Sequence, residues 1–133
     1  MENKKHNFYK NIYGNNDNVL ELKYKDFKIN KREISLINNN FKNNQSLIIF
    51  YAPWCSHCQK MYDDVRELSI SNMYKFNIGA VNINDNKNKN YLLSDFLKIK
   101  SIPTAYIVKN NKLENFDKEL SFENLFYYII INI

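Results

Sequence analysis

The sequence predicts an α/β domain in which helices flank both faces of a central mixed β-sheet. Two observations carry that prediction. Residues 47–52 form an apolar run of strand length with no polar interruption, as a strand covered on both faces requires. Short strand-like and longer helix-like patterns then alternate along the rest of the chain, the arrangement that layers helices on a sheet.

Taken in order, residues 19–24 alternate apolar and polar side chains and read as a strand. Asn30 followed by Glu33 has the spacing of a capping box ahead of Ile34, Ile37 and Phe41, so a helix is expected there. The asparagine-rich stretch 38–45 is turn material, and the buried strand 47–52 follows. Pro53 ends it. Cys58, Met61, Tyr62, Val65 and Leu68 then recur at helical spacing, which starts a helix around Cys55 and places Met61, Tyr62 and Val65 in the core. Residues 78–83 form another short strand, 84–90 a polar loop, and Leu92, Leu93, Phe96 and Leu97 mark a further helix. Beyond Pro103, residues 105–108 and 112–116 make two antiparallel strands joined at Asn110 and Asn111, which tolerate positive φ in a tight hairpin. Ser121 caps a last helix whose stripe is Phe122, Leu125, Phe126, Ile129, Ile130 and Ile133. The expected order is βαβαβαββα.

A chain of 133 residues with 44% hydrophobic side chains suits one domain with one core. Residues 1–18 are too polar to bury and are expected to form a flexible arm, with His6 a tail residue, ahead of a domain at 19–133. The net charge of +5 comes from lysines interspersed with acids, the pattern of a solvated basic surface, so no nucleic-acid partner is expected. The amino-terminal residues lack the apolar core of a secretory signal, and the apolar stretch 125–133 is far shorter than the roughly 20 residues of a membrane span. A soluble, intracellular (cytosolic) monomer is expected. The abundance of asparagine, lysine and isoleucine is what AT-rich codons produce, as in a protozoan or a large DNA virus; in the viral case the virion is the alternative location.

The chemistry gathers at Cys55 and Cys58. Two cysteines this close cannot staple a fold, because the entropy removed from the unfolded chain grows with loop length. Cys55 leaves a strand, opens a helix, has a partner thiol and lies two residues from His57; each of these favours a thiolate. Cys58, one turn into the helix and on its apolar face, should be the less accessible thiol. That asymmetry assigns Cys55 as nucleophile and Cys58 as resolving thiol, with His57 tuning the thiolate. Zinc would need four ligands where the motif offers two cysteines and an awkwardly placed His57. An iron–sulfur cluster bridging two chains is the other metal use of such a pair, and nothing else in the sequence supports it.

The run Phe50-Tyr51-Ala52-Pro53-Trp54-Cys55-Ser56-His57-Cys58 resembles the active site of the thioredoxin superfamily, in the Cys-x-His-Cys form of protein disulfide isomerase domains. Ser101-Ile102-Pro103-Thr104 resembles the family's cis-proline loop, and the element order from Val19 to Ile133 is similar. The resemblance implies a thioredoxin fold and a thiol-disulfide oxidoreductase acting on protein substrates that carry thiols or disulfides, recycled by a separate reductase or oxidase, with no bound cofactor. It further implies a cis Ile102-Pro103 bond and a client-binding surface made by Trp54, Ile102 and Pro103. Direction is contested: the Ser-His dipeptide points to the oxidising side, the absence of a signal to a reducing compartment, and the two regimes differ by roughly 90 mV.

The sequence departs from the family at four places. Ile49 and Ala80 stand where a buried acid and its lysine are usual, Asp63 where the helix proline is, and Lys118 where a glycine precedes the last helix. Without the acid, release of a mixed disulfide through Cys58 is expected to be slow. The alternative function is therefore a thioredoxin-fold module that binds clients or serves a structural, virion-packaged role with little redox turnover.

Overall fold

In the computed structural model, the described residues are 19–41, 45–70 and 76–131; the expected arm, His6 and Ile133 lie outside them. The elements run β1 (Val19–Leu22), β2 (Phe27–Asn30), β3 (Glu33–Leu36), β4 (Ser46–Tyr51), α1 (Ser56–Ile70), β5 (Asn77–Asn82), α2 (Tyr91–Leu97), β6 (Thr104–Lys109), β7 (Lys112–Asn115) and α3 (Phe122–Ile131). Among the described residues the strands form one mixed sheet in the order β1-β5-β4-β6-β7-β3-β2. β4 runs parallel to β5 and antiparallel to β6. This is a thioredoxin fold, a curled mixed sheet with three helices among the described residues.

Every residue of β4 is buried, as its unbroken apolar run predicts. The two-residue period of a strand sends Leu47, Ile49 and Tyr51 to one face, against Cys58, Met61, Val65 and Leu68 of α1 and Leu125 and Ile129 of α3. Ile48 and Phe50 go to the other face, where Leu93 of α2 packs with Phe27, Ile34 and Leu36. Gly79 of β5 lies close under this second layer: a Cβ there would sit 2.5 Å from Cδ1 of Leu22 and 3.1 Å from its Cγ, so the Leu22 side chain would have to shift.

The helix expected after Asn30 is instead the β2–β3 hairpin. Asn30 and Glu33 are opposite partners in it, flanking a turn at Lys31 and Arg32 in which Lys31 has φ 57°. The i, i+3 spacing of a capping box is also the spacing of the residues that close a two-residue turn, so the sequence cue served the other structure. Phe27 and Ile34 are buried in β2 and β3 with period two, whereas Ile37, needed for a helical stripe, is exposed. β3 joins the sheet beside β7 through Ser35 and Lys112 and through a hydrogen bond from the Leu36 amide to the Asn111 carbonyl, 3.0 Å.

The other elements follow the sequence closely. Asn110 and Asn111 turn the β6–β7 hairpin with φ of 52° and 67°, both in the left-handed region. Ser121 Oγ accepts from the Asn124 amide at 3.2 Å and caps α3, where Phe122 and Phe126 stack with ring centroids 5.4 Å apart. Ile130 leaves the expected stripe and is exposed, because Leu125 and Ile129 already fill the contact with α1. α1 runs unbroken through Asp63, which is exposed.

Candidate active site

β4 ends at Tyr51, and residues 52–55 carry the chain over the end of the sheet into α1. The Cys55 amide closes this turn on the Ala52 carbonyl at 3.1 Å, and Gln59 Nε2 reaches back to the Pro53 carbonyl at 2.8 Å. Cys55 thereby becomes the residue that caps α1. Its carbonyl accepts the first helical hydrogen bond, from the Gln59 amide at 3.1 Å, and its Sγ takes the place of a capping side-chain oxygen. The Cys58 amide donates to that sulfur at 3.2 Å. A helix amino terminus directs unpaired N–H groups and the positive end of the peptide dipoles at whatever sits there, which here is Cys55 Sγ.

Cys55 and Cys58 are not joined by a disulfide. Cys55 is 7% exposed and Cys58 fully buried, so the order of accessibility follows the sequence expectation while Cys55 presents only a sliver of sulfur. Burial is the largest cause pushing the Cys58 thiol up to about 12, and its hydrogen bond with Cys55 adds to the rise.

The Ile102-Pro103 bond is cis, as the resemblance implied. It brings the Ile102 carbonyl to Cys55, whose thiol donates to it at 3.6 Å. Three of the residues singled out from sequence, Cys55, Cys58 and Ile102, are thus linked by hydrogen bonds through one sulfur. Thr104 Oγ1 donates to the Ser101 carbonyl and tightens the loop around Pro103. Trp54 is 65% exposed beside the thiols. His57 is exposed on the first turn of α1. Among the described residues no cluster of three or more potential metal ligands occurs.

Below the motif, Ile49 and Ala80 are opposite partners on β4 and β5, both fully buried in the core layer that holds Cys58. The positions that usually carry an acid and a lysine are therefore packed hydrocarbon. Sequence reasoning missed the ionisable group that does lie on this face. Glu21 of β1 pairs with Ala80, and its carboxylate accepts from the Tyr51 hydroxyl at 3.0 and 3.2 Å. Burial, the largest cause, raises the Glu21 carboxyl to about 7 against the lowering effect of Tyr51. The signal was present in the alternation of β1, where Val19 and Glu21 share a parity and Val19 is core.

The comparisons with known proteins agree with this geometry. Over 104 residues, 78% of the chain, the sequence is 30% identical to Protein disulfide-isomerase MPD1 of Saccharomyces cerevisiae, of which the chain covers 30%. The structure superposes on the J-Trx1 fragment of ERdj5 with a TM-score of 0.69 at 20% identity, covering 90% of this chain and 52% of that one. It superposes on thioredoxin f from spinach chloroplast with a TM-score of 0.64 at 19% identity, covering 86% and 92%. No helix among the described residues is long and apolar enough to cross a membrane. Residues 26–130 match the thioredoxin family model, nearly the whole span from β2 to α3 that builds the sheet and carries the cysteine pair, and the chain belongs to that family.

Proposed function

We propose that the chain is a thiol-disulfide oxidoreductase acting on protein substrates, with Cys55 the attacking and Cys58 the resolving sulfur. The observation that carries this is the placement of Cys55 Sγ at the cap of α1, accepting from the Cys58 amide at 3.2 Å while Cys58 is buried beneath it. In the reducing direction, the Cys55 thiolate attacks a client disulfide. One client sulfur leaves with the electron pair of the broken bond, and the other stays bound to Cys55. Cys58 then loses its proton and attacks Cys55 Sγ; the Cys55–Cys58 bond forms, the client's second sulfur departs as thiolate, and the pair is left oxidised. The same steps reversed oxidise a client.

The likeness to a protein disulfide-isomerase and the Cys-Ser-His-Cys sequence support a reading in which the exchange is with protein rather than small-molecule substrates. Trp54 offers an exposed apolar platform, and the Ile102 backbone beside Pro103 offers peptide groups to an extended client segment. His57 tunes the pair from the rim of the site. A separate reductase or oxidase recycles it.

The test is trapping. Cys58→Ser should accumulate mixed disulfides with a disulfide-bearing protein substrate, and Cys55→Ser should accumulate none. Equal trapping by both variants would overturn the assignment, and trapping by neither would leave a client-holding module as the reading.

A further inference from the structure

The chain enters α1 without the side-chain contact that ordinarily fixes such an entry. With Cys55 as the cap, Trp54 is the residue before the cap and Gln59 the fourth residue of the helix. Helices often pair an apolar residue before the cap with an apolar one at the fourth position, and that contact sets the angle at which the chain comes in. Trp54 is the apolar half of such a pair, and Gln59 is not. The Gln59 Nε2 donates to the Pro53 carbonyl at 2.8 Å, and its amide donates to the Cys55 carbonyl at 3.1 Å, so one residue holds the chain on both sides of Trp54. The Cys55 amide closes the same turn on the Ala52 carbonyl at 3.1 Å, and Pro53 stands second in it, where its fixed φ is favoured. Hydrogen bonds and a proline thus set the entry angle with no part played by the indole. Trp54 remains 65% exposed, while Cys55 beside it is 7% exposed.

We propose that Gln59 is a positioning residue for client docking: it occupies the helix position from which an apolar side chain would hold Trp54 down, fixes the turn through Pro53 instead, and so keeps the indole free for the client. This rests on the oxidoreductase reading above, and it names the substrate class as protein segments with an apolar residue beside the bridging cysteine. Because the turn is already tied at Ala52, Pro53 and Cys55, docking on Trp54 costs no ordering of the main chain around it. Gln59 acts on docking rather than on sulfur chemistry, since its hydrogen bonds go to the carbonyls of Pro53 and Cys55 and not to either sulfur. An apolar side chain at the same position that covered about 40 Å² of the ring would have to be displaced by each client, which weakens docking about fivefold.

The chain has one tryptophan, so its indole fluorescence reports on Trp54 alone. The experiment compares the full reduced wild-type chain with Gln59→Leu and Gln59→Lys by acrylamide quenching and by stopped-flow attack on two probes. One probe is a disulfide-bonded peptide with leucine and phenylalanine beside its cysteines; the other is hydroxyethyl disulfide, which has nothing to dock. Leucine and lysine are both good helix formers, so α1 is retained in each variant. Gln59→Leu completes the apolar pair with Trp54: the quenching constant should fall about twofold and the half-saturating peptide concentration should rise about fivefold. The maximal attack rate on the peptide and the rate on hydroxyethyl disulfide should stay within about twofold of wild type, which separates docking from chemistry. Gln59→Lys keeps a donor on a side chain long enough for the Pro53 carbonyl and should match the wild type in quenching and in half-saturation. Wild-type quenching and half-saturation in Gln59→Leu overturn the proposal, as does a Gln59→Lys protein that behaves like Gln59→Leu. Failure of the wild-type protein to attack either disulfide overturns the oxidoreductase reading instead, and the quenching comparison, which needs no exchange, still decides whether Gln59 keeps Trp54 free.

Discussion

The Cys58 amide donates to Cys55 Sγ across 3.2 Å, so the buried cysteine of the pair holds the sulfur of the other at the start of α1. The same hydrogen bond ties the reactive atom to helix stability, and several expected outcomes follow from this coupling of site and scaffold.

Alkylation should separate the two thiols. Burial and the hydrogen bond with Cys55 push the Cys58 thiol well up, so little of it is thiolate at pH 8, and its sulfur is fully buried. Iodoacetamide at pH 8 followed by peptide mass mapping is expected to modify Cys55 at least a hundredfold faster than Cys58. Comparable rates would show that Cys58 is neither buried nor raised in solution.

Because Cys55 Sγ fills the capping site of α1, replacements there should differ in stability as well as activity. Serine restores a preferred capping oxygen, whereas alanine leaves the Cys58 amide without its partner, a difference of about 1 kcal/mol. Urea unfolding of Cys55→Ser and Cys55→Ala should show serine the more stable of the two by that amount, with both inactive.

Glu21 should make stability depend on pH. Its carboxyl is raised to about 7 in the folded chain and is near 4.5 when unfolded, so the native state binds more protons between those values. Stability is therefore greatest below about pH 4.5 as far as this group is concerned, and it falls as pH rises towards 7, by up to about 3 kcal/mol. Glu21→Gln, which keeps an acceptor for Tyr51, should flatten the curve of unfolding midpoint against pH over this window and be the more stable protein at pH 8.

His57 is exposed on the first turn of the helix that Cys55 caps, where an imidazole can favour the thiolate and so the reduced pair. His57→Pro should lower the reduction potential measured against glutathione. An unchanged potential would remove His57 from the redox site.

A chain with two glycines fills left-handed backbone positions with other residues. Lys98, which ends α2, has φ 55° and ψ 45°, and its amide bonds back to Ser94 and Asp95 carbonyls. A non-glycine residue there costs about 1–2 kcal/mol, only part of which is offset by the greater unfolded-state freedom of glycine. Lys98→Gly should raise stability by about 0.5–1 kcal/mol, whereas Leu93→Ala in the same helix, which empties a fully buried site, should cost about 2–5 kcal/mol.

The strongly patterned parts of the fold were legible in the sequence for identifiable reasons. The run at β4 has no polar residue after Ser46, the stripe of α1 keeps its period over three turns, and Asn110-Asn111 is a pair suited to only a few turn geometries. The hairpin of β2 and β3 was misread because its two strands are four residues each, too short for a two-residue period to outweigh a capping-box spacing. At the candidate site, the cysteine pair, Trp54 and the Ile102-Pro103 loop stand in motifs and are legible as candidates. Glu21 was not, because what distinguishes it is a neighbour thirty residues away: a glutamate in a four-residue strand reads as solvated until the register shows Tyr51 above it.

The β2–β3 hairpin also decides which peptide groups the sheet leaves open. An unpaired sheet margin is a template for another chain, and natural proteins keep such margins short, twisted or charged. By joining beside β7, the hairpin shields part of that strand and hands the outer position to β2, four residues long with Lys28 exposed and Asn30 at its end. The opposite margin, β1, is equally short and carries Glu21. Both margins of the sheet formed by the described residues thus offer another chain little backbone to stack upon.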